Sequence, residues 1–104
     1  MSKWENKDTK ELFKTITALN NTKQARIFLR DLLTEQEIIE FSNRWKAAKM
    51  LNAKISYIKI SEATGLSSRT VARISKWLNS GMGGYKKMIA ELHHGNSSFG
   101  KGLS

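Results

Sequence analysis

The chain has no cysteine and no proline among its 104 residues. Without cysteine there can be no disulfide, thiolate zinc site or cysteine nucleophile, which fits a reducing cytosol. Without proline, no helix is broken from within. Long apolar runs are also missing. No window approaches 18 apolar residues, so no segment reads as membrane-spanning. The opening MSKWENKDTKE is charged and lacks the apolar stretch of a signal peptide. A cytoplasmic protein with no membrane partner is the expectation. No strand alternation and no internal repeat appear, which leaves an all-α chain.

Acidic residues are scarce: 9 Asp and Glu against 18 Lys and Arg, for a net charge of +9. Their placement matters more than their number. Residues 1–43 hold seven bases and seven acids, and cancel. Residues 44–104 hold the other eleven bases with only Glu62 and Glu91. The whole excess lies in one part of the chain, as a phosphate-binding surface requires.

Within that part, Ile55 to Leu78 reads as two helices joined at Thr64-Gly65-Leu66. Ser56 caps the first helix, with Ile60 and Ala63 inward. Gly65 supplies the left-handed stop. Ser67 caps the second helix, along which Val71, Ile74 and Leu78 form one apolar stripe. Ser68, Arg69, Ala72, Arg73 and Lys76 occupy the other face. This is the pattern of a helix-turn-helix, over about 56–79, whose second helix enters a DNA major groove. A plain helical hairpin with a solvated basic face is the competing reading. The charge asymmetry favours DNA.

The remaining helices follow from caps and spacing. Asp8-Thr-Lys-Glu11 resembles a capping box for a helix to about Leu19, with Leu12, Ile16 and Leu19 inward. Asn21-Thr-Lys-Gln24 opens a second helix burying Ala25, Phe28, Leu29 and Leu32. Thr34-Glu-Gln-Glu37 opens a third, to about Leu51, with Ile38, Phe41, Trp45 and Ala48 inward and Ile39, Met50 and Leu51 widening the stripe. Ser80-Gly-Met-Gly-Gly84 cannot sustain a helix. A last helix is expected over Tyr85–His93. The organisation is thus a single all-helical domain over 1–94 and a flexible tail over 95–104. Trp4, Phe13, Phe28, Phe41 and Trp45 carry more aromatic surface than one small monomer covers. A homodimer is expected, which would also present two reading helices to a near-palindromic site.

From Leu32 onward the sequence resembles the tryptophan repressor family, and especially its shorter relatives in Gram-positive bacteria. The resemblance rests on the Leu-Thr-x-x-Glu helix opening, Arg44 ten residues past Thr34, the Ile55-Ser56 entry, Gly65, and Thr70 followed by Arg73. It covers roughly residues 25–80 in order and spacing. It implies an intertwined dimer of about six helices per chain that binds operator DNA. It also implies a ligand pocket in which Thr34, Arg44 and Arg73 match the family's tryptophan contacts. Two positions depart. Ile74 stands where the repressor has glycine, and Trp77 where it has serine. Both put bulk in the expected place of the indole, so tryptophan is not expected as corepressor.

For the interface, Lys54, Lys59 and Lys76 are expected to anchor phosphates, together with Lys49 and the N–H groups at Ser67-Ser68. Arg69 is the base reader, with Thr70, Ala72 and Arg73 beside it and Tyr57 against the backbone. No catalytic constellation and no metal site emerges; His93 and His94 are adjacent and point apart. A helical interaction module, or an accessory factor of RNA polymerase, is the alternative function.

Overall fold

The computed structural model describes residues 2–102, with side chains up to residue 93. It is all-α, as expected, with six helices and no strand among the described residues. They are α1 (Lys7–Thr17), α2 (Thr22–Leu32), α3 (Glu35–Asn52), α4 (Tyr57–Thr64), α5 (Ser68–Ser80) and α6 (Gly84–Gly102). The chain resolves into two compact units, Met1–Ile38 and Ile39–Ser104.

In the first unit, side-chain caps set the helix starts. α1 opens at Asn6, not at Asp8. The Asn6 side chain accepts from the Thr9 N–H at 2.9 Å, and the Thr9 hydroxyl accepts from the Asn6 N–H at 2.9 Å. Asn6 is extended and among the best capping residues, which leaves Asp8 in the first turn, where its charge suits the helix dipole. Asn21 caps α2 as expected. Thr34 and Glu37 form the reciprocal box that opens α3, at 2.9 and 3.1 Å. No residue of α1 or α2 is fully buried. Ala25, Phe28 and Leu29 are only half-buried and Leu32 is exposed, against expectation. Trp4 meets Phe13 edge-on, with ring centroids 6.1 Å apart.

The second unit holds the whole described core: Ala47, Ala48 and Leu51 of α3, Ile60 of α4, and Val71, Ile74 and Leu78 of α5. Of the stripe expected on α3 only Ala48 is buried, with Leu51 beside it, while Phe41 stays 47% and Ile39 53% exposed. The alanine pair lets other backbone approach closely, and that is where α3 meets the core. Trp45 is half-buried and stacks on Tyr85 of α6, with centroids 6.3 Å apart and planes at 22°. Lys49 Nζ lies 5.7 Å over the Trp45 ring, within cation–π range.

α3 stops in a Schellman turn. The Lys54 N–H donates to the Leu51 carbonyl and the Ile55 N–H to the Met50 carbonyl, both at 3.0 Å. Lys54 is left-handed, with φ 65°, where glycine is usual.

α4 carries a second correction. Ile60 is fully buried, but Ala63 is exposed and Thr64 takes its place inside. Thr64 can be buried because its hydroxyl is satisfied on both sides. It donates to the Ile60 carbonyl at 2.7 Å and accepts from the Leu66 N–H at 3.2 Å. Gly65 ends α4 at φ 76°. α6 begins at Gly84 and runs to Gly102, through much of the segment expected to be a flexible tail. Residues 103 and 104, and side chains from His94 on, lie outside the described residues.

Candidate nucleic-acid interface

The helix α5 is held in three ways. Its stripe of Val71, Ile74 and Leu78 is buried in one cluster with residues of α3 and α4, against which Tyr85 and Ile89 of α6 also pack. The Gly65 turn sets its direction, and Ser67 fixes its first turn. The Ser67 side chain accepts from the Thr70 N–H at 3.1 Å and lies 3.1 Å from the Thr70 hydroxyl. Opposite the stripe, Ser68, Arg69, Ala72, Arg73 and Lys76 are all exposed. Thr70 is half-buried. Arg69, Arg73 and Lys76 have no carboxylate partner among the described residues, whose ion pairs are Arg30–Glu35, Arg44–Glu40 and Lys87–Glu91. Three unpaired cations on one helical face form a surface that only an anion can neutralise.

The other expected contacts lie in and just before α4. Lys59 is exposed in α4, whose first turn is capped when the Ser56 hydroxyl accepts from the Lys59 N–H at 3.3 Å. Tyr57, the first residue of α4, is 42% exposed. Tyr57 and Lys54 line one cavity of about 290 Å³ together with Asn52, Ser75, Asn79 and Lys86. The sequence reading did not single out those last four. Ser75 and Asn79 lie one turn apart on α5, and the Asn79 amide donates to the Ser75 carbonyl at 2.9 Å. That pairing was visible in the helical spacing. Lys86 comes from the next helix, so no spacing rule points to it.

The residues matched to a ligand pocket make the following contacts within this chain. The Thr34 hydroxyl caps α3. Arg44 Nη2 pairs with Glu40 at 2.8 Å, one turn back, and its Nε is buried without a hydrogen-bond partner. Arg44 also faces Tyr85: burial pushes the Tyr85 phenol above its usual value, and the Arg44 charge pulls weakly the other way. Arg73 is exposed on α5 and Ile74 is fully buried in the core. Trp77 is 43% exposed, so its indole is not seated in the core of its own chain.

Comparison with known proteins gives a consistent picture. Residues 7–93 match the family model described as Trp repressor protein. The uncharacterized protein YerC of Bacillus subtilis (strain 168) is 33% identical over 89 residues, which span 86% of this chain and 86% of YerC. The crystal structure of a TrpR like protein from Eubacterium eligens ATCC 27750 superposes with a TM-score of 0.82 at 34% identity. It covers 88% of this chain and 94% of its own.

Proposed function

The chain belongs to the Trp repressor family, and on that footing we propose that it is a sequence-specific DNA-binding regulator of transcription, a repressor rather than an enzyme, acting as a cytoplasmic homodimer. One observation carries the reading. Arg69, Arg73 and Lys76 stand exposed and unpaired on the face of α5 that points away from its buried stripe. In a helix-turn-helix this face enters the major groove, where an arginine can pair with both acceptors of a guanine. The all-helical second unit, with its own core, holds that face rigid.

Pairing of two chains is supported by the first unit. α1 and α2 are amphipathic, yet not one of their residues is buried. Trp4, Phe13, Ile16, Ile27 and Leu32 all keep two-fifths or more of their surface in water. Isolated soluble chains rarely leave so many large apolar side chains uncovered. A second copy is the occupant whose supply is guaranteed, and two-fold symmetry would give two reading helices to one duplex.

Tryptophan is not the corepressor in this reading. Where the family has glycine, this chain has a buried isoleucine at 74, and Trp77 adds an indole of its own close by. Calorimetric titration with L-tryptophan should give no saturable heat, and micromolar binding would overturn this part of the proposal.

The central test is selection of bound duplexes from a random pool, followed by affinity measurements at several salt concentrations. A steep salt dependence and a preferred sequence are expected. Arg69→Ala should cost about 1–3 kcal/mol and relax the preference at one base pair. Weak binding without sequence preference would instead favour the interaction-module reading.

A further inference from the structure

The cavity between the end of α3, the start of α4, the second half of α5 and the start of α6 has a composition unlike the other hollows. The hollow at α1 sets its lysines, Lys7 and Lys10, beside Glu5, and the one at α2 sets Arg26 and Arg30 beside Asp31, so each holds a carboxylate. This one presents two ammonium groups, two amides, a hydroxyl and a phenol, from Lys54, Lys86, Asn52, Asn79, Ser75 and Tyr57, over a floor of Leu51, Ile55 and Leu78. No acidic residue lines it. Neither lysine has a carboxylate partner among the described residues. Such a hollow has many donors and uncompensated positive charge, and the complementary occupant is a phosphate-class anion.

We infer that this cavity is a seat for one DNA backbone phosphate beside the major groove, built from Lys54, Tyr57, Ser75, Asn79 and Lys86. The inference rests on the DNA-binding reading above and adds a contact to it. Two further observations support it. The first is position. Ala72 and Asn79 are seven residues apart on α5, about 10 Å along the axis at 1.5 Å per residue. A major groove is about 12 Å wide. With the first turns of α5 on the base edges, its second half lies over the phosphates at the groove margin. The second observation is Lys54. A lysine is held left-handed at φ 65°, where glycine would cost less, and the strained residue is the one that carries charge to the cavity rim. The Schellman turn fixes it there.

Lys86 provides the discriminating test, because Lys87 beside it is an internal control. Lys87 pairs with Glu91 at 3.4 Å and does not line the cavity. Wild-type protein, Lys86→Ala, Asn79→Ala and Lys87→Ala are compared on a selected duplex and on an unrelated one, from 50 to 300 mM salt. Each phosphate contact contributes about 0.9 to the logarithmic salt slope, or about eightfold in affinity at 0.1 M. Lys86→Ala should therefore weaken both duplexes alike by about eightfold per seat and flatten the slope by about 0.9 per seat. Asn79→Ala should weaken both by a smaller factor, and Lys87→Ala should change neither by as much. If the wild type binds its duplex selectively but Lys86→Ala matches it in affinity and slope, the seat is refuted and the DNA reading stands. Equal losses in Lys86→Ala and Lys87→Ala would refute it too, because the effect would be diffuse charge. If the wild type binds no duplex selectively, both fall. Inorganic phosphate titrated into the free protein supplies the last arm. Saturable amide shifts at Ser75, Asn79 and Lys86 that added duplex leaves in place would give the seat to a free anion and overturn the DNA assignment.

Discussion

Lys54 separates conformational strain from charge, because two substitutions at one position remove the same ammonium group. Lys54 sits at φ 65°. An L-residue pays about 1–2 kcal/mol there and glycine pays nothing. Glycine in turn gives up about 0.5–1 kcal/mol more backbone entropy on folding than alanine does. The difference favours Lys54→Gly over Lys54→Ala by about 0.5–1 kcal/mol, or about 2–8 °C in melting temperature for a chain of this size. Both variants keep the two backbone bonds of the Schellman turn, so no other contact should distinguish them. Thermal melts at one matched protein concentration measure the difference, since any association shifts both midpoints. Duplex binding measured on the same samples should fall by the same factor in both variants. If Lys54→Ala proved as stable as Lys54→Gly or more so, the turn would not hold the left-handed strain assigned to it. If the two variants differed in DNA affinity, the position would act through backbone shape rather than through charge.

Three further predictions concern the support of the reading helix. Thr64→Val should lower stability by about 1–2 kcal/mol despite its matching shape, because the part-buried Leu66 N–H loses its acceptor; urea unfolding reads the loss. Gly81→Ala should destabilise by about 1–3 kcal/mol, because a methyl group there runs into the Trp77 carbonyl at the end of α5. Its far-UV circular dichroism should show the last turn of α5 loosened, and an unchanged spectrum and midpoint would contradict the geometry. Tyr85 makes stability depend on pH at the alkaline end. Its phenol is raised in the folded chain by burial, so the unfolded chain ionises first, at about pH 10. Stability should be level from pH 7 to 9 and fall as pH rises through and above 10. Tyr85→Phe should flatten that decline, as followed by urea midpoints at each pH.

The sequence disclosed the reading head better than the rest of the chain, for physical reasons. Ser56, Gly65 and Ser67 act through bonds and dihedrals within a few residues, so their roles are visible locally. The stripe of Val71, Ile74 and Leu78 is buried as its spacing indicated. Ala63 and Thr64 were exchanged because a hydrophobicity pattern ranks alanine as the more apolar, while a doubly bonded hydroxyl loses little on burial. The cap at Asn6 was missed because Asp8 and Glu11 imitate a capping box two residues later. The stripe on α3 was misjudged because spacing shows that one side is apolar but not where along the helix a partner packs. Lys86 joins Lys54 and Tyr57 only through the path of the chain after Gly84, which no local signal specifies.

Among the described residues, every buried side chain falls between Ala47 and Leu78, and none lies in the first two helices. The portion proposed to meet nucleic acid therefore carries its own core, whereas the first two helices keep large apolar side chains in water. Under the proposed function, a regulator so divided is sensitive to its own dosage. Scarce chains keep a finished probe with nothing to bring a second one alongside, and abundance decides when two probes arrive as a unit.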